Sequence, residues 1–246
     1  MNPRIHIGTS GWSYRHWKPG FYPQKLPSSK WLSFYAETFD TTEINGSFYR
    51  LPTMDHVLAW AAAVPENFIF CPKMSRYLTH MKKLLDPEEP LLRFFDVFDT
   101  IKEKLGPVLL QLPPFLKFNA ERVSHLFNLL RKNYGDYDFA LEVRHDSWLE
   151  KESLALMKKH DIGLVISQSE NEFPYSEAVT AKTVYLRLHG PKELYASSYS
   201  DEMLESFAGK IKKWVKGRHE VWVFFNNDIH GFAVGDAVRL RNLLKK

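Results

Sequence analysis

Short apolar runs with a period near two alternate along the chain with longer segments whose apolar positions recur every three to four residues. The short runs read as strands at 4–10 (RIHIGTS), 41–47 (TTEINGS), 68–74 (FIFCPKM), 107–113 (PVLLQLP), 138–144 (DFALEVR), 162–168 (IGLVISQ), 183–189 (TVYLRLH) and 220–226 (EVWVFFN). The helical segments between them include SSKWLSFYAETF, DHVLAWAAAV, PLLRFFDVFDTIKEKL, AERVSHLFNLLRKNY, SWLEKESLALMKKH, SDEMLESFAGKIKKWV and AVGDAVRLRNLLKK. Ser28 and Ser29 are the expected caps of the first helix, Asn119 of the fourth and Asp146-Ser147 of the fifth, while Gly106 and Gly135 follow helix ends. Strict alternation with no linker-like break predicts an α/β fold: a single (β/α)8 TIM-type barrel forming one domain over 1–246, with an open doubly wound sheet as the alternative. SENEFPYSEAVTA is too short and turn-rich for a full helix, so 169–182, between the sixth and seventh strands, is expected to be irregular.

In a barrel the C-terminal ends of the strands share one rim, where function is expected. Alternation sorts inward from outward positions. Leu141 and Val143 take the outward phase, leaving Glu142 and Arg144 inward; Leu186 and Leu188 likewise turn Tyr185, Arg187 and His189 inward. The same parity brings in Ser10, Glu43, Asn45, Lys73 and Gln111, and the eighth strand ends in Asn226, Asn227 and Asp228 with ambiguous phase. One buried ion pair, Glu142 with Arg144 or Arg187, would be ordinary. So many charges converging on one rim point to a site, because desolvating each costs several kcal/mol. His145 and Asp146 fall outside the inward phase.

The chain has 246 residues, 44% of them hydrophobic and 15% aromatic, enough for a large core. Its lone cysteine, Cys71, excludes a disulfide framework and a cysteine-built metal cage, and reads as a core thiol. With no apolar signal region near the start and no run of about 18 apolar residues, the expected location is cytoplasmic, with no membrane partner. NGS at 45–47 is then a chance sequon. The formal net charge of +4 is mildly basic and suits an anionic small molecule or nucleic acid. No GxGxxG after a strand, GxxxxGK[ST] or GxSxG is present, so flavin, nicotinamide and nucleotide cofactors are unsupported and any cofactor is unknown. Oligomeric state is not legible.

GTSGWSYRHWKPGFYP, TEINGSFYRLPT, CPKMSRYLTH, GPVLLQLPP, LEVRHDSW, YLRLHG and FFNNDIHGFAVGDA stand in order from Ile5 to about Ala237. Together they resemble the YecE-like family, the group carrying domain of unknown function seventy-two. The resemblance implies a TIM-type barrel and no particular reaction. Two departures stand out: the EFRH usual in such motifs is EVRH here, a change on the outward phase that keeps Glu142 and Arg144, and Cys71 occupies a place where a small residue is common.

Lys73, Arg144 and Arg187 set three positive charges against the two of Glu43 and Glu142, so an anion is the expected guest. The loop NNDIHGFAVGDA, with Gly231 and Gly235, precedes the last helix and offers a phosphate position. The leading expectation is acid/base chemistry on a phosphate- or carboxylate-bearing molecule, as in a hydrolase, lyase or isomerase. Glu142 would take a proton, His189 return it and Lys73 assist, with Arg144, Arg187, Glu43, Asn45, Gln111, Trp12, Tyr14, Asn226 and Asn227 binding substrate. A second reading makes Glu43, Glu142 and His189 ligands of a divalent metal, although no tight metal motif exists and the neighbouring cations oppose it. A third takes Trp12, Tyr14, Trp17, Phe21 and Tyr22 beside Arg15, Lys18 and Lys25, with Phe48, Tyr49 and Arg50, as a stacking surface for single-stranded nucleic acid. Against it, the loop Gly11–Pro23 is expected to roof the mouth, with Trp12 or Tyr14 touching the polar ring.

Overall fold

The computed structural model describes residues 2–18, 20–170 and 172–245. Eight parallel strands run β1 (Ile5–Thr9), β2 (Thr41–Ile44), β3 (Ile69–Pro72), β4 (Val108–Gln111), β5 (Phe139–Glu142), β6 (Ile162–Gln168), β7 (Thr183–Leu188) and β8 (Glu220–Phe225). The helices between and after them are α1 (Trp31–Thr38), α2 (Gly46–Tyr49), α3 (Met54–Ala62), α4 (Glu88–Phe98), α5 (Ala120–Asn133), α6 (Lys151–Lys159), α7 (Asp201–Lys216) and α8 (Phe232–Lys245). Residues 169–182 hold no helix or strand among those described. No helix among the described residues is long and apolar enough to cross a membrane.

The closed eight-stranded barrel expected from the sequence is not what the chain forms. Six strands make one open parallel sheet in the order β1-β8-β7-β6-β5-β4, and β2 pairs only with β3. Two seams interrupt the ladder, each for a local chemical reason. Between β1 and β2 a side chain replaces backbone pairing: the Tyr35 hydroxyl of α1 accepts from the Thr9 N–H and donates to the Thr41 carbonyl, both at 3.0 Å. Thr42 Oγ1 adds a bond to the Thr9 carbonyl at 3.1 Å. Gly8 makes the approach possible, since a Cβ there would lie 2.2 Å from the Thr41 oxygen. Among the described residues, ladder pairing across this seam is confined to the Ser10–Glu43 bridge. Between β3 and β4 the pairing reduces to isolated bridges, Phe70 with Leu105 and Lys73 with Leu109. Pro72 and Pro107 supply no N–H to a ladder here, and the Val108 N–H is committed to Asp138 on the β5 side at 2.8 Å.

Alternation still sorts the side chains. Outward residues such as Ile7, Phe70, Leu110, Leu141, Ile166, Leu186 and Val223 pack with the helices in the main core. Cys71, Leu109, Ala140, Val165, Tyr185, Trp222 and Phe224 form a second apolar cluster on the inward face. Two residues further along the strands, the same face carries Lys73, Gln111, Glu142, Ser167, Arg187 and Asn226. An apolar plug thus underlies a polar layer at the C-terminal ends.

Two caps differ from expectation. Ser28–Lys30 form a 3-10 turn, and α1 begins without a side-chain cap. At the fifth helical segment His145, not Asp146, caps a 3-10 turn at Asp146–Leu149, its Nδ1 accepting from the Ser147 N–H at 3.1 Å. Asn119 caps α5 through the Arg122 N–H at 2.9 Å.

Candidate functional site

Arg187 of β7 lies between two carboxylates. Its Nε and Nη2 donate to Glu43 at 2.9 and 2.7 Å, and its Nη1 donates to Glu142 at 2.6 Å. Tyr185 donates a third bond to Glu43, at 2.9 Å. The other oxygen of Glu142 receives Arg144 Nη2 at 2.6 Å, Ser167 Oγ at 2.9 Å and His189 Nε2 at 3.1 Å. Glu43, Glu142 and His189 are wholly buried and Arg187 nearly so. Burial alone would push the Glu142 carboxyl up, but the charges of Arg144 and Arg187 and the hydrogen bond from His189 hold it well below the usual carboxylate range. Burial first, then the Arg187 charge, pulls His189 down to about 4 against the pull of Glu142. Its contacts fit that neutral form, with Nε2 donating to Glu142 while Nδ1 accepts from the Asn226 amide at 3.0 Å.

Above this network opens a cavity of about 460 Å3, walled by Tyr14, Lys73, Gln111, Arg144, Tyr195, Asn226 and Asp228 among others, with Arg187 at its floor. Lys73 extends from the end of β3, donates to Gln111 Oε1 at 3.0 Å and lies 4.2 Å above the Phe48 ring. Burial, then Arg187, lowers its amine to about 7 despite the carboxylates beneath. The Arg144 guanidinium stacks on Phe173. The Tyr195 hydroxyl lies within reach of this guanidinium and Tyr14 within reach of the Asn45 amide, but Arg144 Nε and Nη1 and Asn45 Oδ1, all buried, form no well-aligned hydrogen bond. A buried guanidinium N–H without a well-formed bond keeps donor capacity in hand.

Residues 6–246 match the profile of a family described as "Protein of unknown function DUF72". The chain belongs to the DUF72 family. Among relatives, the UPF0759 protein YunF of Bacillus subtilis strain 168 is 26% identical over 270 residues, covering 98% of this chain and 94% of YunF. The UPF0759 protein YecE of Escherichia coli K12 is 27% identical over 147 residues, 60% of this chain and 51% of YecE. A DUF72 family protein from Thermotoga maritima MSB8 superposes with a TM-score of 0.87 at 30% identity, covering 98% of this chain and 99% of that one. One from Enterococcus faecalis V583, at 23% identity, shares the fold with a TM-score of 0.85 over 98% and 96% of the two chains.

In this DUF72 chain the residues expected at the rim divide into layers. Lys73, Arg144, Gln111, Asn45, Asn226 and Tyr14 wall the cavity, whereas Glu43, Glu142 and His189 lie in the network beneath and do not line it. Asn227 faces the other way, donating to Ser197 O and Asp236 Oδ2, each at 2.8 Å. The β8 alternation explains this: Trp222, Phe224 and Asn226 share the inward phase and Asn227 follows on the outward one. Trp12 packs on Trp60 and Phe70 and lines a neighbouring apolar recess of about 290 Å3 that shares Tyr14 and Asn45 with the cavity. The metal reading fails on geometry, since Arg187 spans the two carboxylates, His189 donates to Glu142, and no cluster of three His, Cys, Asp or Glu suited to a metal occurs among the described residues. The rings of the stacking reading divide: Trp17 and Tyr22 are buried in a cluster with Phe21, Trp31 and Phe34, whereas Phe48 and the exposed Tyr49 wall the cavity. Tyr14 alone of that loop's rings reaches the polar cavity.

Sequence reasoning did not single out Tyr195, Phe173 or Ser167. Ser167 was available from β6 parity. Tyr195 and Phe173 arrive on irregular segments, Tyr195 with a positive φ of 65°, and no periodicity marks them. The loop after β8 brings Asn226, Asp228 and Ile229 to the wall, with Gly231 at φ 76° serving its turn.

Proposed function

We propose that this DUF72 protein is an enzyme that holds a small phosphate- or carboxylate-bearing molecule in the 460 Å3 cavity and moves a proton on it. Arg144 is the anion ligand in this reading, and Lys73 is the acid/base group. The observation that carries it is the Arg144 guanidinium, anchored on Glu142 by Nη2, stacked on Phe173 and near the Tyr195 hydroxyl, on the wall of the same cavity as Lys73 and with Nε and Nη1 short of a well-formed bond. An amine lowered to about 7 exchanges protons near neutrality. Glu142 and His189 are better suited to fixing Arg144 and Arg187 than to proton transfer, because both are fully buried and fully hydrogen-bonded partners of the network. The lone buried Cys71 suits a reducing, cytoplasmic setting.

Calorimetry with inorganic phosphate, sulfate and short carboxylates tests this reading. Arg144→Gln should weaken binding by roughly 10- to 100-fold, the worth of a charge-assisted hydrogen bond of about 1.5–3 kcal/mol. Arg144→Lys, which keeps the charge and loses the fork, should fall between. Wild-type protein that binds none of these anions refutes the reading.

A further inference from the structure

The geometry points to Lys73 as a covalent nucleophile: its Nζ forms a Schiff base with an aldehyde or ketone carbonyl on the anionic molecule held by Arg144. The inference rests on the anion-binding reading and adds the carbonyl to the substrate class.

Among the described residues Lys73 makes no salt bridge, although two carboxylates lie directly beneath the cavity. Those carboxylates are committed to Arg187, Arg144 and His189. With the lysine protonated, the cluster of Lys73, Arg144, Arg187, Glu43 and Glu142 carries three positive charges against two negative. With the amine neutral it carries two against two, the cheaper state for groups this buried. Gln111 Oε1 holds the Nζ at 3.0 Å as an acceptor of one of its protons, a contact that survives deprotonation and leaves the nitrogen lone pair for attack. Burial first, then the Arg187 charge and more weakly that of Arg144, lower the amine to about 7 against the opposing pull of Glu142 and Glu43, so a large nucleophilic fraction exists at neutral pH. A lysine kept only to hold an anion gains nothing from that environment.

The step balances without a further reagent. The Nζ lone pair attacks the carbonyl carbon and forms the C–N bond, while the C=O π pair passes to oxygen. The two amine protons end on that oxygen, the C–O bond breaks, and water leaves a C=N bond between Lys73 and the former carbonyl carbon.

The probe is glyoxylate, a carbonyl bonded to a carboxylate, with sodium cyanoborohydride at neutral pH and peptide mass mapping. The expected product is one carboxymethyl group on Lys73, formed at least tenfold faster than on the surface lysines and suppressed by excess phosphate. Lys73→Arg should bind phosphate yet show no preferred labelling. Wild-type protein that binds phosphate but is labelled at Lys73 no faster than at surface lysines overturns the covalent role and leaves the anion reading standing. Preferred labelling that phosphate does not suppress, in protein that binds no phosphate, overturns the anion reading and keeps the nucleophile. Circular dichroism of Lys73→Arg establishes that it folds; should it not, competition by phosphate in the wild type decides alone.

Discussion

Replacing Arg187 with Met should be the most destabilising single change in the polar layer. The substitution keeps bulk but removes three hydrogen bonds to buried carboxylates, at 2.6, 2.7 and 2.9 Å. Glu142 would retain Arg144, Ser167 and His189, but Glu43 would keep only the Tyr185 hydroxyl. Breaking a buried pair from one side costs about 3–5 kcal/mol, because the stranded charge has no solvent to return to. Glu43 loses its cation outright, so we place the cost near the top of that range, about 5 kcal/mol, against a total stability of about 5–15 kcal/mol for a typical domain. The double variant Glu43→Gln/Arg187→Met strands one charge fewer and should recover roughly half of the loss. Urea denaturation followed by circular dichroism at pH 7 measures both. The pH course has a definite sign. Glu142 is held below its ordinary value in the folded protein, so its contribution is present above about 4.5 and lost as pH falls through the folded value. Arg187 supports that contribution, so the gap between wild type and Arg187→Met should be widest at neutral pH and narrow in acid. A cost under about 1 kcal/mol at pH 7 with an unchanged m-value would refute the reasoning, by showing that these carboxylates do not depend on Arg187.

Three further outcomes follow from the same layer. Since His189 is neutral in the fold down to about 4, the unfolded chain takes up a proton first and stability should drop as pH falls from 6.5 to 4, by up to roughly 3 kcal/mol; His189→Gln should remove that part of the slope, and an imidazolium signal at pH 6 by nitrogen NMR would contradict it. Lys73 carries a cost of the same sign at higher pH: between about 7 and 10.5 the unfolded state holds the extra proton, so stability should rise with pH by at most about 1.4 kcal/mol per unit, and Lys73→Met should be more stable than wild type below pH 7 with the difference vanishing towards 10.5 in thermal melts. Asp228 is an acid on the wall of a cavity that we assign to an anion, so Asp228→Asn should tighten phosphate binding several-fold by calorimetry; unchanged affinity would place the anion away from that wall.

Alternation along the strands was enough to group the polar layer. Lys73, Glu142, Arg187 and Asn226 share a face because each stands two residues beyond an inward apolar residue of the plug, at Cys71, Ala140, Tyr185 and Phe224. Parity carries no depth, however. It could not distinguish Lys73 and Arg144 on the cavity wall from Glu142 and His189 one layer below, because depth depends on where each strand ends relative to its neighbours. Ladder closure was equally hidden. Eight apolar runs look alike whether joined by backbone bonds or, as at Thr9 and Thr41, by the hydroxyl of Tyr35 on a helix. Pro72 and Pro107 were visible at the ends of the third and fourth runs, and their missing N–H groups were sequence signals that the ring would be interrupted there. The aromatic loop misled for a related reason: a ring's identity does not say whether it faces solvent, and Trp17 and Tyr22 found enough apolar neighbours to disappear into the core.

The layering also gives the buried charges a purpose that an isolated ion pair would lack. In the proposed reading Arg144 is the cation that faces the guest, and a free guanidinium at a cavity wall would sample many rotamers. Glu142 takes one of its nitrogens, Phe173 takes its face and Tyr195 stands near it, so the guanidinium is fixed while Nε and Nη1 keep donor capacity in hand. Glu142 can do so only if it stays ionised, which Arg187 and the neutral, donating His189 secure from behind. Arg187 in turn would bring excess positive charge without Glu43, which Tyr185 fixes from the apolar plug. Each deeper residue thus constrains the one above it, and the chain of constraints ends at two groups with chemistry to spare, the Arg144 fork and the Lys73 amine. Preorganisation of this kind lowers the ordering cost of binding. It also explains why four ionisable groups sit so deep in a protein whose core could have been closed with leucine.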